Sequence, residues 1–138
     1  MHKMVFINLP VADLPRAKTF YQALGFEVVP AYTNEQAACI KIGDTIFAML
    51  LVRPFFQTFT DKTIIDPATH IQVLSCLSCD SRAEVDGLVA KALAAGGAAP
   101  QPPREYPNMY GHGFTDPDGH TWELMAMPLD ASAQGQAS

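Results

Sequence analysis

The chain repeats itself. "VADLPRAKTFYQALGF" in the first half corresponds to "SCDSRAEVDGLVAKALAAGG" in the second, and "GDTIFAML" corresponds to "DGHTWELM". Each longer stretch holds a helix-capping residue, apolar positions at helical spacing and a glycine stop. Each shorter one holds a turn and a strand. Such a duplication limits the chain to paired modules and predicts a pseudo-two-fold site between equivalent strands. The order reads β-α-β-β-β twice, over modules of about residues 3–52 and 71–128, so the fold class is α+β. A chain of 138 residues has room for one such domain, placed at 1–128. The small, polar segment 129–138 is expected to be disordered.

Within the first module, "KMVFINLPV" reads as a strand and Asp13 caps a helix with a proline in its first turn. Leu14, Ala17, Phe20, Tyr21 and Leu24 share one face, and Gly25 ends the helix. "FEVVPAY", "QAACIKI" and "TIFAMLLV" read as the following strands, the last two separated by a Gly43-Asp44 turn. In the second module "IQVLSCLSC" reads as a strand, and Ser81 with Glu84 forms a capping box. Val85, Leu88, Val89, Ala92 and Leu93 then fall on one helical face, ending at Gly96-Gly97. A proline-rich stretch, "AAPQPPREYP", precedes two strands, "MYGHGFT" and "HTWELMAM". The connection from Arg53 to His70 holds three phenylalanines and is expected to close a pocket or serve a subunit interface.

Composition excludes several function classes. Nine Lys and Arg against fourteen Asp and Glu give a net charge of −5, without the cationic footprint that nucleic acid requires. No apolar run is long enough to span a membrane, and the N-terminus lacks a signal-peptide pattern, so a cytoplasmic location is expected. Cys39, Cys76 and Cys79 sit in apolar segments and read as buried thiols of a reducing compartment. Cys76 and Cys79 form a C-x-x-C, but an offset of three along a strand turns the thiols to opposite faces.

"NLPVADLPRAKTFYQALGF" and "GHGFTDPDGHTWELM" resemble the vicinal oxygen chelate superfamily, which includes glyoxalase I, the bleomycin- and fosfomycin-resistance proteins and the extradiol dioxygenases. The likeness covers residues 3–128. It is greatest to the bacterial predicted lactoylglutathione lyases, with which "DTIFAMLLV", "FFQTFTDK" and "MYGHGF" also agree. The resemblance implies a curved mixed sheet around a central cavity and a small-molecule ligand. Strand edges that need covering, with the apolar Phe-rich loop, lead to the expectation of a homodimer. The resemblance also implies a divalent metal held by a His and a Glu from each module. Carried over residue by residue, those ligands fall on Phe6, Ala48, Leu74 and Glu123. Three of the four carry no metal-binding atom, so no metal ligand set is assigned and the cofactor is left open.

Glu123 is therefore the pivotal residue. "DPDG" suggests a type I turn with a left-handed glycine bulge, which places Glu123 opposite Gly113 and His112 opposite Leu124. A plain two-residue turn would instead set His112 directly across from Glu123. Glu123 and His112 are the candidate catalytic pair. Strand alternation adds Phe6 and Asn8, Ala48, and Leu74 and Cys76 as lining residues, with Gly113 leaving the sheet bare beside the carboxylate. An apolar cup with few polar groups fits a small-molecule site. The expected function is a glyoxalase-like enzyme with a degenerate metal site, of the lactoylglutathione lyase type. The alternative is a metal-free binding protein that sequesters an apolar or aromatic molecule.

Overall fold

In the computed structural model, which describes residues 1–127, the chain forms two compact units, Met1–His70 and a second beginning at Ile71. The expected disordered tail, 129–138, lies outside the described residues.

The first unit contains β1 (Val5–Val11), α1 (Leu14–Ala23), β2 (Glu27–Val29), β3 (Ala37–Gly43), β4 (Ile46–Val52) and the short helix α2 (Arg53–Gln57). Its four strands are ordered β1-β4-β3-β2, with β1 parallel to β4 and the other pairs antiparallel. The second unit contains β5 (Ser75–Cys79), α3 (Arg82–Ala94), β6 (Arg104–Tyr106), β7 (Met109–Thr115) and β8 (Thr121–Ala126). It repeats the same order, β5-β8-β7-β6, again with only the first and last strands parallel. The duplication in the sequence is thus a duplication of topology, and the fold is two βαβββ modules of the α+β class.

Both long helices form where their caps place them. The Asp13 carboxylate accepts the Arg16 N–H at 3.0 Å, satisfying a donor the helix itself leaves unpaired. Leu14, Ala17, Phe20, Tyr21 and Leu24 are buried, and Gly25 adopts the positive φ (97°) that ends the helix. At α3 the Ser81 hydroxyl accepts the Glu84 N–H at 3.1 Å, while the Glu84 carboxylate accepts the Asp80 N–H at 3.3 Å. Val85, Val89 and Ala92 are buried against the second sheet, but Leu93 is exposed. At about 100° per residue Leu93 lies at the margin of the Val85–Val89–Ala92 stripe, so the helix turns it to solvent.

Three strand expectations are corrected. "FEVVPAY" is a strand only to Val29, because Pro30 has no N–H for the ladder and opens a 3₁₀ turn, Pro30–Tyr32. "IQVLSCLSC" becomes strand only at Ser75. Its partner β8 starts at Thr121, just beyond the hairpin turn, so residues 71–74 have no ladder to join. The proline-rich stretch hides β6, which pairs with β7 through a two-residue connection, Pro107-Asn108. Among the described residues no helix is long and apolar enough to cross a membrane. The Arg53–His70 connection begins as α2 and ties back on itself: Gln57 donates to the carbonyls of Thr60 and Lys62, both at 2.8 Å.

Candidate functional site

The β7–β8 hairpin sets the position of Glu123. One Asp116 oxygen accepts the N–H groups of Asp118, Gly119 and His120 at 3.0, 2.9 and 2.9 Å, which folds the turn onto its first residue. Gly119 takes φ 105°, and the Asp116 N–H donates to the His120 carbonyl at 2.9 Å. This is the glycine-bulge turn. Thr115 consequently pairs with Thr121, and Gly113 with Glu123. On the other side β5 runs parallel to β8, with Cys76 in register with Glu123.

Trp122 and Leu124, the neighbours of Glu123 along β8, are both 1% exposed and form the core of the unit. Alternation turns Glu123 to the opposite, open face. There Gly113 provides no side chain. A Cβ at that position would stand 2.9 Å from the Trp122 carbonyl oxygen and 3.4 Å from the Glu123 Oε2. The carboxylate therefore lies over bare backbone, and among the described residues it makes no hydrogen bond or ion pair. Above it opens a cleft of about 320 Å³, bordered by Leu74, Cys76, Gly111, Gly113, Glu123 and Met125. That size falls at the lower end of the range for small-molecule sites.

The expected residues distribute as follows. Leu74, Cys76, Gly113 and Glu123 meet at this one cleft. His112 borders it too, but its register partner is Leu124, so the ladder turns its side chain away from the Glu123 face. Its Nε2 lies 3.0 Å from the Gln101 carbonyl, an acceptor, so that nitrogen carries the proton. Phe6 and Asn8 stand together on the open face of the first sheet, both exposed. Ala48 does not join them. It pairs with Ile7 and Ile40 and is fully buried on the face that packs against α1. The residue in register with Phe6 is Phe47, and the two rings stack with centroids 4.8 Å apart and planes 13° apart. Arg104 and Tyr106 of β6 also border the Glu123 cleft. Their strand lies within the proline-rich stretch, where the short alternation in "REY" is its signal in the sequence.

The three cysteines are free, and only Cys39 and Cys79 are buried; Cys76 is exposed at the cleft. Partial desolvation, and then the negative charge of Glu123, push the Cys76 thiol above its ordinary range. Burial, followed by a hydrogen bond with Glu84, pushes Cys79 up to about 12. Neither environment favours a reactive thiolate.

Comparison with known proteins follows the same lines. The family described as "Bleomycin resistance protein-like N-terminal" matches residues 3–43. A hypothetical protein from S. aureus is 31% identical, with 91% of this chain and 94% of that one covered and a TM-score of 0.77. The bleomycin-resistance-like pattern covers residues 3–43, and solved proteins of the glyoxalase/bleomycin resistance/dioxygenase family share the fold of most of the chain. A family enzyme from Burkholderia phytofirmans shares the fold at 19% identity, covering 88% of this chain and 96% of that one, with a TM-score of 0.73. Lactoylglutathione lyase from Agrobacterium tumefaciens does so at 23% identity, covering 89% and 92%, with a TM-score of 0.64. A search of curated proteins returns no match.

The divalent metal that the superfamily implies can be tested against the side chains present. Phe6, Ala48 and Leu74 offer no donor atom, and the register substitutes Phe47 for Ala48, equally without one. Among the described residues no three His, Cys, Asp or Glu side chains gather into a possible metal site. One carboxylate does not hold a catalytic divalent ion. The residues do not fit that metal, and no step of the chemistry below passes through it.

Proposed function

We propose that this protein is a glyoxalase-like enzyme acting on a small molecule without the metal, with Glu123 as general base. The supporting observation is a carboxylate with no partner among the described residues, laid over the bare backbone of Gly113 in a largely apolar cleft. A part-exposed carboxylate with no protein donor among the described residues leaves its oxygens open to accept from a ligand's N–H or O–H. With an acidic C–H next to a carbonyl in reach, Glu123 would take the proton and return it to another atom of the same molecule. Leu74 and Met125 would supply apolar contact and exclude water.

A second function is favoured by the position of His112. With that imidazole held by Gln101 and turned from the Glu123 face, His112 does not complete an acid–base pair with Glu123. Glu123 would then only anchor a ligand's N–H or O–H, and the protein would sequester the molecule rather than convert it. The proposal also includes a homodimer and a cytoplasmic location. Exposed Phe59, Ile71 and Val73 provide apolar surface for a second copy, and three free cysteines accord with a reducing compartment.

Glu123→Gln separates these roles, because it keeps the shape and removes the basicity. The assays are methylglyoxal–glutathione turnover and calorimetric binding of the substrate. Loss of turnover with binding retained supports the enzyme. Absence of turnover in both proteins, with binding weakened by the substitution, supports sequestration. Turnover and binding both unchanged would remove Glu123 from the site.

A further inference from the structure

Resting on the small-molecule function proposed above, we infer that Arg104 selects the ligand of the Glu123 cleft, and that this ligand is a small carboxylic acid. Its anionic end is held at β6 and its other end at β8. The ladder shows that the two side chains share a face: Arg104 pairs with Gly111, Gly111 with Met125, and Gly113 with Glu123. Arg104 and Glu123 therefore rise on the same side of the sheet, from the strands flanking β7, and only two glycines lie between them. Two strand spacings across and two residues along put their Cα atoms about 12 Å apart, a gap that a small molecule bridges. Both residues border the same cleft of about 320 Å³.

Among the described residues the Arg104 side chain makes no hydrogen bond or ion pair. The carboxylate beside it in sequence does not neutralise it. Alternation turns Glu105 to the opposite face, where it pairs with Arg82 of α3. Arg82 also lies over the Tyr110 ring, 4.2 Å from its centroid, and Tyr110 is the register partner of Glu105. These contacts hold β6 from behind and leave the Arg104 guanidinium to the cleft. A guanidinium is always charged, and its planar fork of N–H donors matches the two oxygens of a carboxylate. Glu123 and the net charge of −5 both repel an anion, so the β6 end is where the cleft accepts one. That polarity orients the molecule: its carboxylate lies on Arg104, and its acidic C–H or donor group lies on Glu123.

The test is titration of 5-oxohexanoate and its neutral amide, 5-oxohexanamide, into the full-length protein with ¹³C-methyl methionine and ¹⁵N-arginine, followed by NMR. Both probes carry C–H groups next to a ketone at one end and differ only in charge at the other. The Arg104 side-chain signal reports the β6 end, and the Met125 methyl reports the Glu123 end. The acid should shift both signals and bind about tenfold more tightly than the amide, because a charge-assisted hydrogen bond is about twice as strong as a neutral one. Arg104→Gln should remove that preference by weakening the acid alone. Arg104→Lys keeps the charge without the fork and should retain part of it. Glu123→Gln should leave the preference in place. Three outcomes overturn the role of Arg104: acid and amide binding the parent equally, an acid preference that survives Arg104→Gln, or no binding of the acid. Arg104 would then be a solvated charge on an edge strand. Equal shifts of Met125 by both probes, lost in Glu123→Gln, would overturn the carboxylate end and leave the Glu123 site standing. An Arg104-dependent acid preference, with neither probe weakened by Glu123→Gln, would keep the carboxylate end and remove Glu123 from the site.

Discussion

Gly113 offers the sharpest test of the site's construction, because the neighbouring Gly111 serves as its internal control. At Gly113 an added Cβ would stand 2.9 Å from the Trp122 carbonyl oxygen, inside van der Waals contact. That oxygen belongs to β8 backbone beside a tryptophan that is 1% exposed, so it has little freedom to retreat. At Gly111 the nearest atom is the Leu124 carbonyl oxygen at 3.4 Å, an ordinary contact. Neither glycine has a positive φ, so steric contact alone separates the two positions. Gly113→Ala should therefore behave as overpacking and destabilise by about 1–3 kcal/mol. Gly111→Ala should lie within about 0.5 kcal/mol of the parent, since the alanine also restricts the unfolded chain. Urea unfolding followed by fluorescence reads this directly, because Trp122 is the single tryptophan and lies in the affected ladder. The midpoint should fall for Gly113→Ala at unchanged slope. The new methyl would also stand 3.4 Å from the Glu123 Oε2, so ligand binding should weaken in that variant. Equal midpoints for the two variants, or a lower one for Gly111→Ala, would refute the close approach on which the bare-backbone cleft depends.

Two further outcomes are expected. Placing a carboxylate at Ala48, which is fully buried, should destabilise the first unit by several kcal/mol or prevent folding, whereas Phe47→Glu on the open face should fold with a modest loss; thermal melts of both variants check this assignment of faces. Cys79 ionises near 9 when unfolded and at about 12 when folded, so between those values the unfolded chain releases a proton that the folded chain keeps, and stability should fall as pH rises through that window. Denaturant midpoints measured from pH 8 to 11 should show a shallower decline in Cys79→Ala than in the parent, and identical profiles would contradict the shift.

The sequence by itself determined the features whose causes lie within a few residues. Asp13 and Ser81 bond to N–H groups three positions away, Gly25 and Gly96 end their helices with a positive φ, and "DPDG" folds through Asp116 onto its own turn. The hairpin register followed from that turn, which is why Glu123 opposite Gly113 was legible before any strand was placed. Tertiary structure decided what depended on a distant partner. Ala48, Leu50 and Val52 alternate with Phe47, Met49 and Leu51, and since both sets are apolar, alternation cannot say which one faces the helix. Only pairing with β1 and packing against α1 buried Ala48 and left Phe47 beside Phe6. Residues 71–74 have strand composition but no ladder, and Arg104–Tyr106 have a ladder despite flanking prolines. A strand exists where another strand offers it hydrogen bonds, and that offer comes from chain far away in sequence.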